Sequence, residues 1–129
     1  MMARRILVVE DNPKNLKLVR DVLQYSGFEV AEAQSGEEGV ALAGQDPPDL
    51  ILMDLQLPGI DGAEALARLR QNRATRTVPV VAVTAFAMQD DRERALAAGF
   101  DGYIEKPISV RALPGQVTTY LRPEAESGR

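Results

Sequence analysis

The stretch Leu50-Ile51-Leu52-Met53-Asp54 decides the fold of this chain. Four consecutive apolar residues before a carboxylate indicate a strand that is buried on both faces of a parallel sheet. Three more runs lead into polar residues in the same way: residues 6–9 into Glu10-Asp11, residues 80–83 into Thr84, and residues 103–105 into Lys106-Pro107. The repetition predicts several parallel strands, each with a polar residue at its carboxyl end.

Strands and helices are predicted to alternate along the chain. The strands are predicted at residues 5–9, 28–33, 50–53, 80–83 and 102–105. Alternation of this kind predicts an α/β fold, a doubly wound five-stranded parallel sheet with helices on both faces.

Capping residues mark the ends of the first four helices. Asn12-Pro13 begins the first helix and Gly27 ends it. Ser35 begins the second helix, which we expect to end near Gly44. Asp61, with Glu64 three residues later, begins the third, and the fourth is predicted at residues 88–98, before Gly99.

The last helix is interrupted where it would normally begin. Pro114-Gly115 lies within the segment that an uninterrupted helix from Ser109 would occupy, and proline disfavours helical geometry at the residue before it. We therefore expect a turn at residues 109–113 and a helix from near Pro114 to near Leu121.

Size and charge limit the classes of protein to which the chain can belong. Its 129 residues suit one domain, which we place at residues 1–122, with a short polar tail at 123–129. The net charge of -4 argues against nucleic-acid binding, which usually needs a basic face. No apolar run reaches the length of a membrane span or a signal peptide, so we expect a cytoplasmic protein with no membrane contact.

Two residue types are missing from the sequence. The chain has no cysteine, which excludes disulfides and thiolate ligands, and no histidine. Without histidine it cannot form a Ser-His-Asp triad, a histidine-ligated zinc site or a phosphohistidine of its own. Covalent or acid–base chemistry must therefore use carboxylates, Lys, Tyr, Ser or Thr.

The polar residues after the strands are expected to form one site, because the carboxyl ends of parallel strands meet at one edge of a sheet. Asp54 is the candidate nucleophile, whose carboxylate would become an acyl phosphate. Two carboxylates about 4 Å apart repel by roughly 4 kcal/mol at an effective dielectric constant near 20, so a cation is needed, and oxygen ligands favour Mg²⁺ or Mn²⁺. The residues of this predicted site are Glu10, Asp11, Asp54, Thr84 and Lys106.

Each of these residues also has an ordinary structural interpretation. Taken singly, an Asp or Thr after a strand is more often a turn or cap residue, and a Lys is more often a surface side chain. Five such residues at the ends of four strands favour the functional interpretation.

In order and spacing, these motifs resemble the receiver domain of two-component response regulators over residues 4–122, most of all the single-domain regulators of the DivK type. The matching segments are residues 7–12, 52–59, 80–85 and 102–107. The resemblance implies a flavodoxin-like sheet in the order 2-1-3-4-5. It also implies direct metal ligation by Asp11 and Asp54, an indirect contribution from Glu10 through water, a ligand from the Gln56 backbone carbonyl, and a cis peptide bond at Pro107.

The resemblance further implies a switch. Lys106 and Thr84 would hold the phosphoryl oxygens, and Tyr103 would move with Thr84 to change the face built from helix 4, strand 5 and the last helix. The donor would be a sensor histidine kinase or a histidine phosphotransfer protein, and the output a downstream protein target. Gln56 and Phe86 lie where side chains could screen the acyl phosphate from water. We expect a monomer or weak dimer that is not an enzyme beyond its own phosphorylation and dephosphorylation.

Other functions fit parts of the same pattern. Only about seven residues follow the last helix, so we expect a stand-alone receiver; the alternative is a receiver domain of a hybrid histidine kinase or a phosphorelay intermediate. A hydrolase of the haloacid dehalogenase type would need a second Asp at the position of Gln56. A scaffold that has lost phosphorylation is disfavoured by the complete residue set.

Overall fold

A computed structural model describes residues 3–85 and 89–122 of the chain. These residues form strands and helices that alternate, as the apolar runs predicted. The strands are β1 (Arg5–Val9), β2 (Glu29–Ala33), β3 (Leu50–Asp54), β4 (Val80–Thr84) and β5 (Gly102–Glu105). The helices are α1 (Pro13–Tyr25), α2 (Gly36–Gln45), α3 (Gly62–Gln71), α4 (Gln89–Ala98) and α5 (Leu113–Tyr120).

All strand pairs are parallel, and the strand order is β2-β1-β3-β4-β5. This is the flavodoxin-like order that the resemblance implied. Since β1 and β3 lie side by side at the point where the strand order reverses, their carboxyl ends flank the crevice in which open α/β sheets bind ligands. The fold therefore places the predicted site where this architecture provides space for a ligand.

Two apolar clusters cover the two faces of the sheet. Alternate strand residues such as Leu7 and Met53 pack with α2, α3 and α4 on one face. Their neighbours in sequence, such as Ile6 and Leu52, pack with α1 and α5 on the other. Side chains of a strand point alternately to opposite faces, so strands buried on both faces must be apolar throughout. This explains the unbroken apolar runs.

The predicted caps are present at the first three helices. Asn12 accepts hydrogen bonds from the backbone N–H groups of Lys14 and Asn15, Ser35 accepts from Glu38, and Asp61 accepts from Glu64. Gly27, just beyond α1, has φ of +96°, a conformation that residues with a Cβ rarely adopt.

The turn and late helix at the carboxyl end are confirmed to within one residue. The backbone N–H of Leu113 donates to the Ser109 carbonyl at 3.0 Å, which closes the turn, and α5 begins at Leu113 itself. The expectation that Leu113 lies outside the helix is wrong: Leu113 is its first residue, and Pro114 is tolerated next to it because a first-turn N–H has no partner within the helix. The tail at 123–129 and the predicted start of α4 at Met88 lie outside the described residues.

Within residues 3–85 and 89–122, no helix combines the length and apolar character that crossing a bilayer requires.

Candidate functional site: an acidic pocket at the carboxyl edge of the sheet

The sheet itself holds two of the site residues in place. Asp54 and Thr84 are the last residues of β3 and β4, one residue beyond the predicted strand ends. Asp54 pairs with Val83 and Thr84 with Glu105 in the strand register. Both side chains are buried, with relative exposures of 3% for Asp54 and 1% for Thr84. The strand ladder, and not a loop, therefore positions the candidate phosphoacceptor.

Three carboxylates meet beside the end of β3. One oxygen from each of Glu10, Asp11 and Asp54 lies within 4.8 Å of the others. Glu10 is 5% exposed, whereas Asp11 is open to solvent. The cluster, named here the acidic pocket, offers only oxygen atoms, which is the donor set that Mg²⁺, Mn²⁺ and Ca²⁺ prefer. The structure thus brings together the three acidic residues that the sequence placed at this edge.

Lys106 supplies the positive charge of the acidic pocket. Its Nζ lies 2.8 Å from Asp54 Oδ2 and 2.9 Å from Glu10 Oε1. The backbone holds this lysine in place, because its N–H donates to the Thr84 carbonyl at 2.8 Å. The single positive charge of Lys106 contacts two of the three carboxylates, so the pocket keeps an excess of negative charge that favours a second cation.

Backbone N–H groups bind the remaining carboxylate oxygens of the two buried acids. The Gln56 N–H donates to Asp54 Oδ1 at 2.9 Å, and the Asn12 N–H donates to Glu10 Oε2 at 3.1 Å. Both oxygens of Asp54 therefore accept a hydrogen bond, which fixes the plane of the carboxylate.

The surroundings of the acidic pocket raise the pKa values of two of its residues, Glu10 and Lys106. Burial is the largest influence on Glu10 and raises the pKa of its carboxyl, although the Lys106 hydrogen bond opposes the shift. Burial alone would lower the pKa of Lys106, but the carboxylates of Asp54 and Glu10 outweigh it, so the pKa of Lys106 is raised. Lys106 therefore carries its charge at neutral pH.

The structure also locates the predicted switch residue and the predicted cis peptide bond. Tyr103 lies opposite Ala82 in the β4–β5 ladder and is half-buried. The Lys106–Pro107 peptide bond is cis, as the resemblance implied. Phe86 lies outside the described residues, and a metal-ligand role for the Gln56 carbonyl stays a prediction.

One neighbour of the site was missed at the sequence level. The guanidinium carbon of Arg92, on α4, lies 5.4 Å from the centre of the Tyr103 ring. Helix α4 has charged residues around most of its surface, so no apolar period indicates which side chain faces β5.

Comparison with known proteins gives a consistent result. The family model of the response regulator receiver domain matches residues 6–118. The polar-differentiation response regulator DivK of Brucella ovis is 45% identical over 120 residues, which covers 93% of this chain and 98% of that protein.

Solved structures share the fold and most of the length. The receiver domain of the sensor histidine kinase PA1611 of Pseudomonas aeruginosa, described with a magnesium ion coordinated in its active-site cleft, is 36% identical with a TM-score of 0.85, over 92% of this chain and 98% of that one. The chemotaxis response regulator CheY4 of Vibrio cholerae is 25% identical with a TM-score of 0.88, over 93% of this chain and all of that one. The chain belongs to the response regulator receiver domains of two-component signalling, a family that works with histidine kinases or histidine phosphotransfer proteins.

Proposed function

We propose that the chain is a switch in two-component signalling that accepts a phosphoryl group on Asp54. The observation that carries this proposal is the contact of Asp54 with Lys106, 2.8 Å apart, inside a cluster of carboxylates that suits a divalent cation. The donor is the phosphohistidine of a sensor histidine kinase or of a phosphotransfer protein. A carboxylate oxygen of Asp54 forms the new P–O bond, while the P–N bond of the donor breaks and its electron pair stays on the imidazole.

The acidic pocket fits a resident Mg²⁺ or Mn²⁺ ion. Asp11 and Asp54 would bind it directly, Glu10 through water, and the Gln56 carbonyl would be a further ligand. When bound, such an ion neutralises charge on the phosphoryl oxygens and screens the carboxylates from one another. The magnesium described in the cleft of the PA1611 receiver domain supports the choice of metal.

Lys106 and Thr84 complete the set of groups for phosphoryl transfer. Phosphoryl transfer needs positioning and charge stabilisation more than covalent help from the protein. Lys106, charged because its pKa is raised, contacts Asp54 already and can follow a phosphoryl oxygen as it arrives. The Thr84 hydroxyl, at the end of the neighbouring strand, can donate a hydrogen bond to another oxygen.

The response to phosphorylation would pass through Thr84 and Tyr103. A phosphoryl group adds about 1.5 to 2 negative charges and three acceptor oxygens, which would draw the Thr84 hydroxyl toward Asp54. Tyr103, on the strand beside β4, would then move inward and change the face formed by α4, β5 and α5. That face would bind the downstream protein, and the chain would turn over no substrate beyond its own acyl phosphate.

A second assignment is a relay role. The likeness to the receiver domain of a sensor histidine kinase, at 36% identity, favours a receiver that passes its phosphoryl group to another histidine. Transfer from the phosphorylated chain to a histidine phosphotransfer protein distinguishes the two roles, because a terminal switch keeps the group until it is hydrolysed.

Phosphorylation from acetyl phosphate tests the main proposal. With Mg²⁺ present, intact-mass spectrometry should show one added phosphoryl group on the parent protein and none on Asp54→Asn. Asp21→Asn, which changes an exposed aspartate of α1, is the matched control and should behave as the parent. Modification of Asp54→Asn to the parental extent would exclude Asp54 as the acceptor.

Beryllofluoride, a mimic of the phosphoryl group, tests the switch. In the parent it should shift the NMR signals of the Tyr103 ring, and Thr84→Ala should reduce that shift. An unchanged Tyr103 response in Thr84→Ala would show that the ring moves without Thr84.

A further inference from the structure

The side chain of Arg92 covers the ring that is proposed to move. Arg92 is exposed on α4, and its guanidinium carbon lies 5.4 Å from the centre of the Tyr103 ring on β5. A guanidinium group within about 6 Å of a ring centre is attracted to the negative face of the aromatic system. The contact therefore joins α4 to β5 through one charged group and one aromatic ring.

Tyr103 meets Arg92 as a neutral ring. Burial is the main cause that raises the pKa of its hydroxyl, and the carboxylates of Glu105 and Asp91 add to the effect. The phenol thus stays protonated at neutral pH, and the attraction is of the cation–π kind and not an ion pair with a phenolate.

Little of the described surface of helix α4 is buried. Among the α4 side chains that the structure describes, only Ala95 is buried. An alanine contributes little apolar area, and the contact of Arg92 with Tyr103 adds a link between α4 and β5. A movement of Tyr103 would have to loosen this contact, or carry α4 with it.

We propose that Arg92 is a positioning residue of the switch. It holds the Tyr103 ring in the position seen here, in which the two Asp54 oxygens accept hydrogen bonds from Lys106 and Gln56. Arg92 thereby opposes the response to phosphorylation and sets its threshold. This inference rests on the proposed function, since it assigns a residue to the regulation of that same site.

Removal of the cation should make the switch respond more readily. An exposed cation–π contact is typically worth a few-fold in an equilibrium constant, so Arg92→Gln should lower the beryllofluoride concentration at half-response by about 2- to 5-fold, with Mg²⁺ held constant. Arg92→Lys keeps the charge without the planar group, and its midpoint should lie between those of the parent and Arg92→Gln.

Arg94→Gln is the matched control. Arg94 is also exposed on α4, two residues from Arg92, so it points to another side of the helix and its removal changes the net charge equally. Its midpoint should equal that of the parent. A shift as large as that of Arg92→Gln would assign the effect to net charge and overturn the inference.

Two NMR signals from each titration separate this inference from the proposed function. The Gln56 amide, hydrogen-bonded to Asp54, reports ligand binding, and the Tyr103 ring reports the switch. If the Gln56 amide of the parent does not respond, the proposed function fails and the inference falls with it. If the Gln56 amide responds and its midpoint in Arg92→Gln is equal to or higher than that of the parent, the proposed function stands. Arg92 then does not oppose the switch.

Discussion

Lys106 reaches across 52 positions of sequence to donate a hydrogen bond of 2.8 Å to Asp54 Oδ2. The same ammonium group lies 2.9 Å from Glu10, so one lysine neutralises part of the charge on two buried carboxylates. These contacts join the ends of β1, β3 and β5. The acidic pocket is consequently both the proposed reaction site and a structural junction.

Replacement of this lysine should weaken the fold in a metal-dependent way. Lys106→Met leaves the buried carboxylates of Glu10 and Asp54 without their ammonium partner. Breaking an ion pair in this way costs about 3 kcal/mol when the charge left behind is buried. Urea denaturation in EDTA should show a loss of this order in the free energy of unfolding. Added Mg²⁺ should restore a large part of it, because a divalent cation also offsets the two carboxylates.

Lys17→Met is the control for this experiment. Lys17 forms an ion pair of 2.7 Å with Asp21, but both side chains are well exposed. Exposed pairs contribute about 0.5 kcal/mol, so this variant should unfold almost as the parent does, with or without Mg²⁺. Equal losses in the two lysine variants would mean that the acidic pocket contributes nothing special to stability.

Metal binding should be measurable through stability alone. A ligand that binds only the folded state stabilises it by about 2.7 kcal/mol at 100 times its dissociation constant. Mg²⁺ should therefore raise the free energy of unfolding of the parent, and Asp11→Asn should lose most of that gain. Asp11 is exposed, so its replacement should change the stability in EDTA only slightly. A full Mg²⁺ effect in Asp11→Asn would remove Asp11 from the metal ligands.

The sequence was informative where one rule of geometry was enough. Apolar runs identified buried strands, and the parallel sheet then required their carboxyl ends to meet, which placed Asp54 and Lys106 at one edge. The rule does not determine which atoms touch. The bridging of Glu10 and Asp54 by Lys106, and the contact of Arg92 with Tyr103, depend on side-chain directions that only the packed structure defines.

The Glu10 carboxyl should titrate at a higher pH than an ordinary Glu in the metal-free protein. Burial raises the pKa of Glu10, with a further contribution from Asp54, so folding without metal favours the protonated form. The stability that this group contributes is complete below its ordinary pKa and is lost as the pH rises through the raised one. A ¹³C carboxyl titration in EDTA should give a midpoint above that of an ordinary Glu.

Two changes should lower that midpoint. Asp54→Asn removes a charge that raises the pKa of Glu10, and Mg²⁺ favours the ionised carboxylate. A midpoint at or below the ordinary value in EDTA would contradict the burial argument.

Two glycines near the carboxyl end should respond oppositely to alanine. A Cβ at Gly102, in β5, would overlap the ring of Tyr120, which lies against this backbone at the end of α5. Gly102→Ala must displace that ring, and overpacking of this kind costs about 1–3 kcal/mol. A Cβ at Gly115, within α5, would meet no atom within 4 Å, so Gly115→Ala should stabilise the fold by about 0.5–1 kcal/mol. Urea denaturation of both variants measures the two effects. A stabilised Gly102→Ala would show that the Tyr120 ring does not need the space left by the absent Cβ.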